Sequence, residues 1–467
     1  MGALSTRVPV LHIAEEVNRI YAEAVKYEKG KGVEKDLIKA AQLYKQAADE
    51  GHDKAQTRYG YVCLNGEGVP QSNREAFKYF KKAAINYDWE GKTAVGICYY
   101  EGIGTFKSGF DAGFHLKRCA NEQIPKAQYY YAKVLHDGFG CSPEIPLAIA
   151  YLSSAQINGY STAESLLKEY LAETTVETLR QEYVSLAPHK RFLAPALLLA
   201  MAELGDIPSM YLFAITIFKG NGFPPNHKLA FKYSSKAAGL GHMPSHHLLG
   251  YLYHNGYGCD RDQVKSLEHY KTASDGGYPN SHFNVSLHYI EESKYTEAVQ
   301  YLQRSIECQS PQGYYFMSKL YQEGKGVEQD ESKYEELLEK SANLGFFKAI
   351  HEFAIYCFEK QKFDKAIQYF FNAARHGDVI AYRYIAKIYQ KGISIEKNEA
   401  GAIEWYKLGA MQSEDVECFY CLGKCYQKGI GAEQNNEEAI RYYKKAAEKN
   451  HEKAKQKLNE LENNNEN

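Results

Sequence analysis

What the chain lacks narrows its class first. No apolar run approaches the roughly 20 residues that a membrane helix needs; the longest, APALLLAMAEL over 194–204, is far too short. No charged-then-apolar leader is visible at the N-terminus. No block of one charge sign occurs either. The 56 lysines and arginines stand against 58 aspartates and glutamates, a formal net charge of −2, and the lysines are scattered. Nucleic acid as a main partner needs a concentrated basic face and is therefore not expected. Catalytic signatures are missing as well: no GxSxG elbow, no phosphate loop and no dinucleotide fingerprint between a strand and a helix. His351-Glu352 is followed by Ile355 where a zinc-protease helix would carry histidine. The reading is a protein that is not an enzyme, with no cofactor, no metal and no small-molecule substrate.

What is present is a period. Gly30/Gly32, Gly66/Gly68, Gly102/Gly104 and Gly138/Gly140 follow one another at 36 residues. Gly220/Gly222 and Gly256/Gly258 keep that step, and Gly324/Gly326 and Gly429/Gly431 continue the pattern. A period in the range of about 20–50 residues marks a solenoid, whose units bury their apolar faces only by stacking. Positions are counted here from the first glycine of each pair. Six before it the residue is small, as in Gly60, Gly96, Ala132 and Gly423; three before it stand Tyr27, Tyr99, Tyr253 and Tyr426. These spacings share one face of a helix, helix A. Ten and fourteen after it come Ala40 and Tyr44, Ala76 and Phe80, Ala112 and Leu116, Ala439 and Tyr443, the packing face of a helix B. Glycine at position 21 (Gly51, Gly159, Gly241) reads as a left-handed helix stop.

GYVCLNGEGVPQSNREAFKYFKKAA (60–84) and LGKCYQKGIGAEQNNEEAIRYYKKAAEKN (422–450) resemble the Sel1-like repeat, a relative of the tetratricopeptide repeat. The resemblance implies an all-α fold, a right-handed α-α superhelical solenoid of about twelve helix-hairpin repeats, with the A helices on the concave face. It divides the chain into an N-terminal segment (1–18), Sel1-like repeats (19–162), a degenerate repeat (163–208), Sel1-like and tetratricopeptide-like repeats (209–453), and a capping helix with a disordered tail (454–467). The degenerate repeat has an expanded loop over roughly 172–192; a hinge between two blocks is the alternative for 163–208. The units from Ser281 and Ala349 are shorter, lack Gly-x-Gly and look like plain tetratricopeptide units.

On helix A, positions −9, −5 and −2 lie opposite the packing face. They nominate Tyr129, Tyr211, Phe218, His247, Tyr251, His254, Tyr315 and Tyr420 as partner-binding residues on the concave face. Aromatic side chains there supply interface energy, though some rings are expected to cover the edge of the next unit instead. The most apolar part of the stripe is its middle, around Tyr211–Phe218 and Phe283–Ile290. The resemblance implies a non-catalytic adaptor or scaffold that binds a protein or peptide. One alternative within the family is a subunit of an endoplasmic-reticulum-associated degradation ubiquitin ligase. Another is a β-lactamase-like Sel1 repeat enzyme, whose per-unit cysteine pairs this chain lacks. The ten cysteines fall in apolar slots: Cys63 and Cys357 take the tyrosine position, and Cys418, Cys421 and Cys425 lie on a packing face. They read as buried thiols in a reducing compartment. The expected localisation is cytoplasmic, or the endoplasmic reticulum if a signal sequence precedes this chain. A zinc pair at His247 and His254 lacks a Cys or Asp partner, and a solvated face is the reading kept. Gly2 and Thr6 fit the loose N-myristoylation form, and Asn284-Val285-Ser286 is read as an accidental glycosylation sequon.

Overall fold

A computed structural model describes residues 7–86 and 88–465. Among them there are helices and no strands. Hairpins α1 (Arg7–Lys29) and α2 (Leu37–Asp49), α3 (Asp53–Asn65) and α4 (Asn73–Ile85), α5 (Trp89–Glu101) and α6 (Gly109–Asn121), and α7 (Pro125–Asp137) and α8 (Ile145–Ile157) come first. Then follow α9 (Ala163–Leu171), α10 (Val176–Ser185), a 3-10 turn over Pro188–Leu193, and α11 (Ala194–Glu203). Next are α12 (Ile207–Lys219) and α13 (His227–Gly239), α14 (Met243–Asn255) and α15 (Gln263–Asp275), α16 (Pro279–Glu291) and α17 (Tyr295–Glu307), and α18 (Pro311–Glu323) and α19 (Glu331–Asn343). Last come α20 (Phe347–Glu359) and α21 (Phe363–Arg375), α22 (Val379–Lys391) and α23 (Glu399–Ser413), α24 (Val416–Lys428) and α25 (Asn436–Glu448), and α26 (Glu452–Asn465). The chain forms two compact units, Met1–Gln263 and Val264–Asn467. Each is an all-α stack of helical hairpins, the solenoid class that the period implies.

Local chemistry sets the ends of the helices. Asp36, Ser72, Ser108 and Asn435 cap the B helices, their side chains accepting from the N–H three residues on at 2.9, 3.3, 3.3 and 3.0 Å. Gly66 ends α3 in the left-handed region at φ 73°. The second glycine of each pair has a different task. At Gly104 a Cβ would sit 2.0 Å from the Asn73 carbonyl oxygen, at the start of the preceding unit's B helix. Gly68 and Gly431 abut Leu37 and Glu399 in the same way. Gly32, which has no unit before it, meets nothing within 4 Å. The second glycine is therefore a joint between units as well as a turn residue.

Within a hairpin, the small residue at −6 receives the ring or branch at +14. A Cβ at Gly60 would lie 2.5 Å from Phe80, at Gly96 2.6 Å from Leu116, and at Gly423 2.6 Å from Tyr443. Where +14 is tyrosine, its buried hydroxyl donates to position −2 of its own helix A: Tyr44 to Glu28 (2.6 Å), Tyr406 to Gln390 (3.4 Å) and Tyr443 to Gln427 (2.9 Å). Where +14 is Phe80, position −2 is Leu64. The tyrosine at −3 packs across units, as in Tyr99 on Phe77 and Tyr389 on Phe371.

Three expectations change. Residues 7–18 are no separate segment, because α1 begins at Arg7; the myristoylation form at Gly2 lies outside the described residues. The 172–192 span is not a loop, since α10 and the 3-10 turn occupy most of it. Leu179 and Leu193, both fully buried, join one core with α7, α8 and α11, and α11 packs directly on α8. This core runs through 163–208, which is therefore no hinge, and the chain divides at Gln263 instead. Finally, α26 extends to Asn465, into the tail expected to be disordered.

Candidate partner-binding surface

Successive A helices touch one another, α3 with α5 and α5 with α7, so in the first unit they line the side on which hairpins crowd together. The nominated residues fall in both units, six before Gln263 and Tyr315 and Tyr420 after it. Structure sorts them by position in the repeat. Those at −9 lie against a ring at +22, in the connection that leads to the next A helix. Tyr129 packs on Tyr160 (5.1 Å between centroids), Tyr211 on His242 (5.1 Å), Tyr315 on Phe346 (5.2 Å) and Tyr420 on His451 (4.6 Å, stacked). Tyr21 repeats this on His52 at 4.4 Å. The +22 residue also starts the next helix: the Nδ1 of His52 and of His451 each accept an N–H at 3.1 Å. These −9 rings are half-buried, and burial raises the Tyr129 phenol above its ordinary value. Burial, reinforced by the Glu352 carboxylate, pushes Tyr315 up to about 12. The −9 row is thus an edge cover between units.

Row −5 is the more open one. Tyr251 is 40% exposed. It meets Phe218 at 5.8 Å, and Phe218 also meets Tyr257 at 5.4 Å and His227 at 5.2 Å, an aromatic patch in the first unit. His254 Nδ1 lies 2.9 Å from Gln263 Oε1. His247 is half-buried, and desolvation pulls its imidazole down to about 4, so it is neutral at pH 7. Among the described residues no group of three or more His, Cys, Asp or Glu side chains could hold a metal ion. In the second unit Glu352 accepts from Tyr315 and Tyr334, both at 3.0 Å, and pairs with Lys319. His351 turns away to Asp378 at 2.5 Å.

One recess on the A-helix side was not singled out in the sequence. A recess of about 670 Å³ opens where α3, α5 and α7 begin. Tyr61, Trp89 and Tyr160 give it an aromatic wall, Lys54 and Lys126 stand against Asp53, Asp88 and Glu90, and Ile124 and Pro125 form its floor. Lys126 Nζ reaches Tyr61 Oη at 3.5 Å and lies 5.3 Å from its ring centroid, spanning two hairpins. Asp88 is committed to structure: it accepts from Gly91 N at 2.8 Å and from the Thr57 hydroxyl. The recess therefore offers rings and both charges. A signal for it exists in the sequence, because residues near +22 are ringed in unit after unit: His52, Trp89, Tyr160, His242, Phe346 and His451.

All ten cysteines are free thiols. Cys63, Cys98, Cys119, Cys357, Cys418 and Cys425 are buried, whereas Cys141 and Cys308 are exposed, against the expectation of buried thiols; burial pushes Cys357 up to about 11 and Cys425 up to about 12. No described helix is long and apolar enough to cross a membrane.

The family model for the Sel1 repeat matches residues 22–52, 53–88, 90–123, 125–155, 198–242, 244–278, 311–346, 352–378, 379–414 and 420–451. Chitin synthase regulator SKT5 of Saccharomyces cerevisiae is 26% identical over 242 residues, covering 50% of this chain and 34% of that protein. Chitin synthase regulatory factor 3 of Schizosaccharomyces pombe is 26% identical over 256 residues, covering 54% of this chain and 27% of that protein. The matched part thus spans about a third or less of either relative's length. Among solved structures, a protective antigen of uropathogenic Escherichia coli with an SLR fold aligns at 20% identity with a TM-score of 0.49, covering 97% of this chain and 90% of its own.

Proposed function

The chain belongs to the Sel1 repeat family, and from that premise we propose that it is a non-catalytic scaffold holding a protein or peptide segment against its A helices. The recess at the starts of α3, α5 and α7 carries the reading. It is large enough for one or two partner side chains, and its aromatic wall and mixed charges suit an extended segment better than a reacting small molecule. The patch at Phe218, Tyr251 and Tyr257 extends the same side of the first unit, and His247 and His254 flank it. Tyr129 and Tyr211 frame the first unit's row, as Tyr315 and Tyr420 frame the second's. Two relatives named as regulators of an enzyme support a non-catalytic role, and ten free thiols suit a reducing, cytoplasmic setting.

The test is affinity capture with wild type, with Trp89→Ala/Lys126→Glu, and with Tyr211→Ala/Tyr251→Ala/Tyr315→Ala. Each variant is first shown to melt as a folded protein. At least one partner is expected to be lost from each variant. Identical partner lists from wild type and both folded variants would refute the A-helix surface.

A further inference from the structure

The repeat supplies its own control for surface chemistry, since equivalent positions can be compared from unit to unit. At +4, on the turn before helix B, the units carry Glu34, Pro70, Asp260, Glu328, Glu396 and Glu433; the third carries Phe106. At +12 most carry a polar residue on the outward face of helix B, Gln42, Lys78, Lys232, Glu268, Glu336, Glu404 and Arg441; the fourth buries Ala150 there, and the third carries Phe114. Position +8 is mixed elsewhere, with Arg74, Lys228 and Glu437 beside Ile38 and Val264, and here it is Phe110. Three phenylalanines four residues apart therefore stand where most repeats carry polar side chains, and their own stacking does not cover them. They are 75%, 74% and 70% exposed. Helix α6 buries its other face through Ala112, Leu116, Cys119 and Ala120, so these rings contribute little to the core.

Two further observations say what fits on them. Beside Phe114 lies a recess of about 540 Å³ whose lining combines Ala84 with Lys92, Lys117 and Arg118 and has no carboxylate. Lys107 is exposed between Phe106 and Phe110. The one nearby acid on α6, Asp111, is engaged by the Ser108 hydroxyl at 2.6 Å. An apolar ladder next to a concave, cation-rimmed pocket calls for side-chain anchors flanked by negative charge.

We propose that Phe106, Phe110 and Phe114 form a second docking surface, on the B-helix side of the third repeat, for an amphipathic segment of a partner protein carrying apolar anchors flanked by Asp or Glu. The pocket favours a polypeptide over a lipid surface, which offers no side chain to fill it. Its cations Lys92 and Arg118 lie 5.0 and 5.6 Å from the Trp89 ring of the A-helix recess, and its phenylalanines are separate from that recess.

The test uses the full chain and a displayed library of random 16-residue peptides. Selected peptides are expected to share two or more aromatic or aliphatic anchors with adjacent Asp or Glu. They should bind at least ~10-fold more weakly to Phe110→Ala/Phe114→Ala, weaken with added salt, and bind Tyr211→Ala/Tyr251→Ala/Tyr315→Ala unchanged. Because both rings are exposed, the double variant should melt as wild type does. Peptides that lack acidic residues, or that bind the double variant equally well, would overturn the proposal. Two other results would also overturn it: sedimentation of wild type but not the variant with phosphatidylserine vesicles, which would assign the ladder to a membrane, and a wild-type dimer that the variant dissolves, which would assign it to a second copy.

Discussion

If the second glycine of each pair joins units, substituting it must cost more than the turn alone explains. The comparison is Gly104→Ala against Gly222→Ala and Gly32→Ala. All three glycines have positive φ, at 67°, 87° and 75°, so alanine pays a left-handed penalty of about 1–2 kcal/mol at each. Only at Gly104 does the new methyl meet backbone, 2.0 Å from Asn73 O and 2.6 Å from Asn73 C. A carbonyl at a helix start cannot swing aside as a side chain can, so α4 and α5 must separate. Overpacking of this kind adds about 1–3 kcal/mol. At Gly222 the nearest atom is Pro195 Cγ at 3.5 Å, an ordinary contact, because the preceding unit is the irregular one. Urea unfolding followed by helical circular dichroism should show Gly104→Ala destabilised by about 3 kcal/mol or more, and the other two by about 1–2 kcal/mol. Equal losses at Gly104 and Gly222 would refute the joint and leave only a turn requirement.

The pairing of −6 with +14 predicts that Gly60→Ala costs about 1–3 kcal/mol and couples to Phe80→Leu by at least ~0.5 kcal/mol in a double-mutant cycle; strict additivity would contradict it. The stability of the first unit should also fall with acid. His247 is held down to about 4 in the fold against about 6.5 in the unfolded chain, so the unfolded state binds the extra proton between those values. Stability is then present above about pH 6.5 and lost as pH falls toward 4, by at most about 3 kcal/mol from this group. His52 and His242, also lowered by burial, act in the same direction. Urea midpoints measured across that range should decline on acidification and decline less in His247→Gln; a flat profile would count against the buried neutral imidazole.

The fold was legible because stacking repeats one set of constraints. Alanine at +10, a small residue at −6 and glycine at position 21 each mark a steric requirement that recurs, so phase alone places Cys418 and Cys425 in the core. The irregular unit was harder to read. Val176–Ser185 forms α10 because Leu179 finds the α8–α11 core, a long-range contact that no period announces. The candidate surface was legible only in part. Helical geometry assigns −9, −5 and −2 to one side of helix A, but it does not reveal the ring at +22 that occupies the −9 row. Nor does it reveal the tyrosine hydroxyl at +14 that occupies −2. Trp89 and Tyr160 were missed for a related reason: Trp89 is the first residue of α5 and Tyr160 lies between α8 and α9, where helical periodicity gives no guide.

These occupancies leave position −5 as the place where a unit can vary without disturbing its stack. The first unit carries Tyr61, Lys133, Ile215 and Tyr251 there, and the second Leu287, Lys319, Ile355, Lys387 and Lys424. Both rows therefore mix apolar side chains with lysine, the first weighted to the apolar and the second to lysine, although their hairpins obey the same packing rules. Apolar side chains gain from a partner that excludes water. Lysines gain only from one that brings opposite charge, and Lys319 already has Glu352. A partner of the first row would then gain mainly through apolar side chains, since Lys133 already has Glu101. A partner of the second would gain further by bringing carboxylates to Lys387 and Lys424.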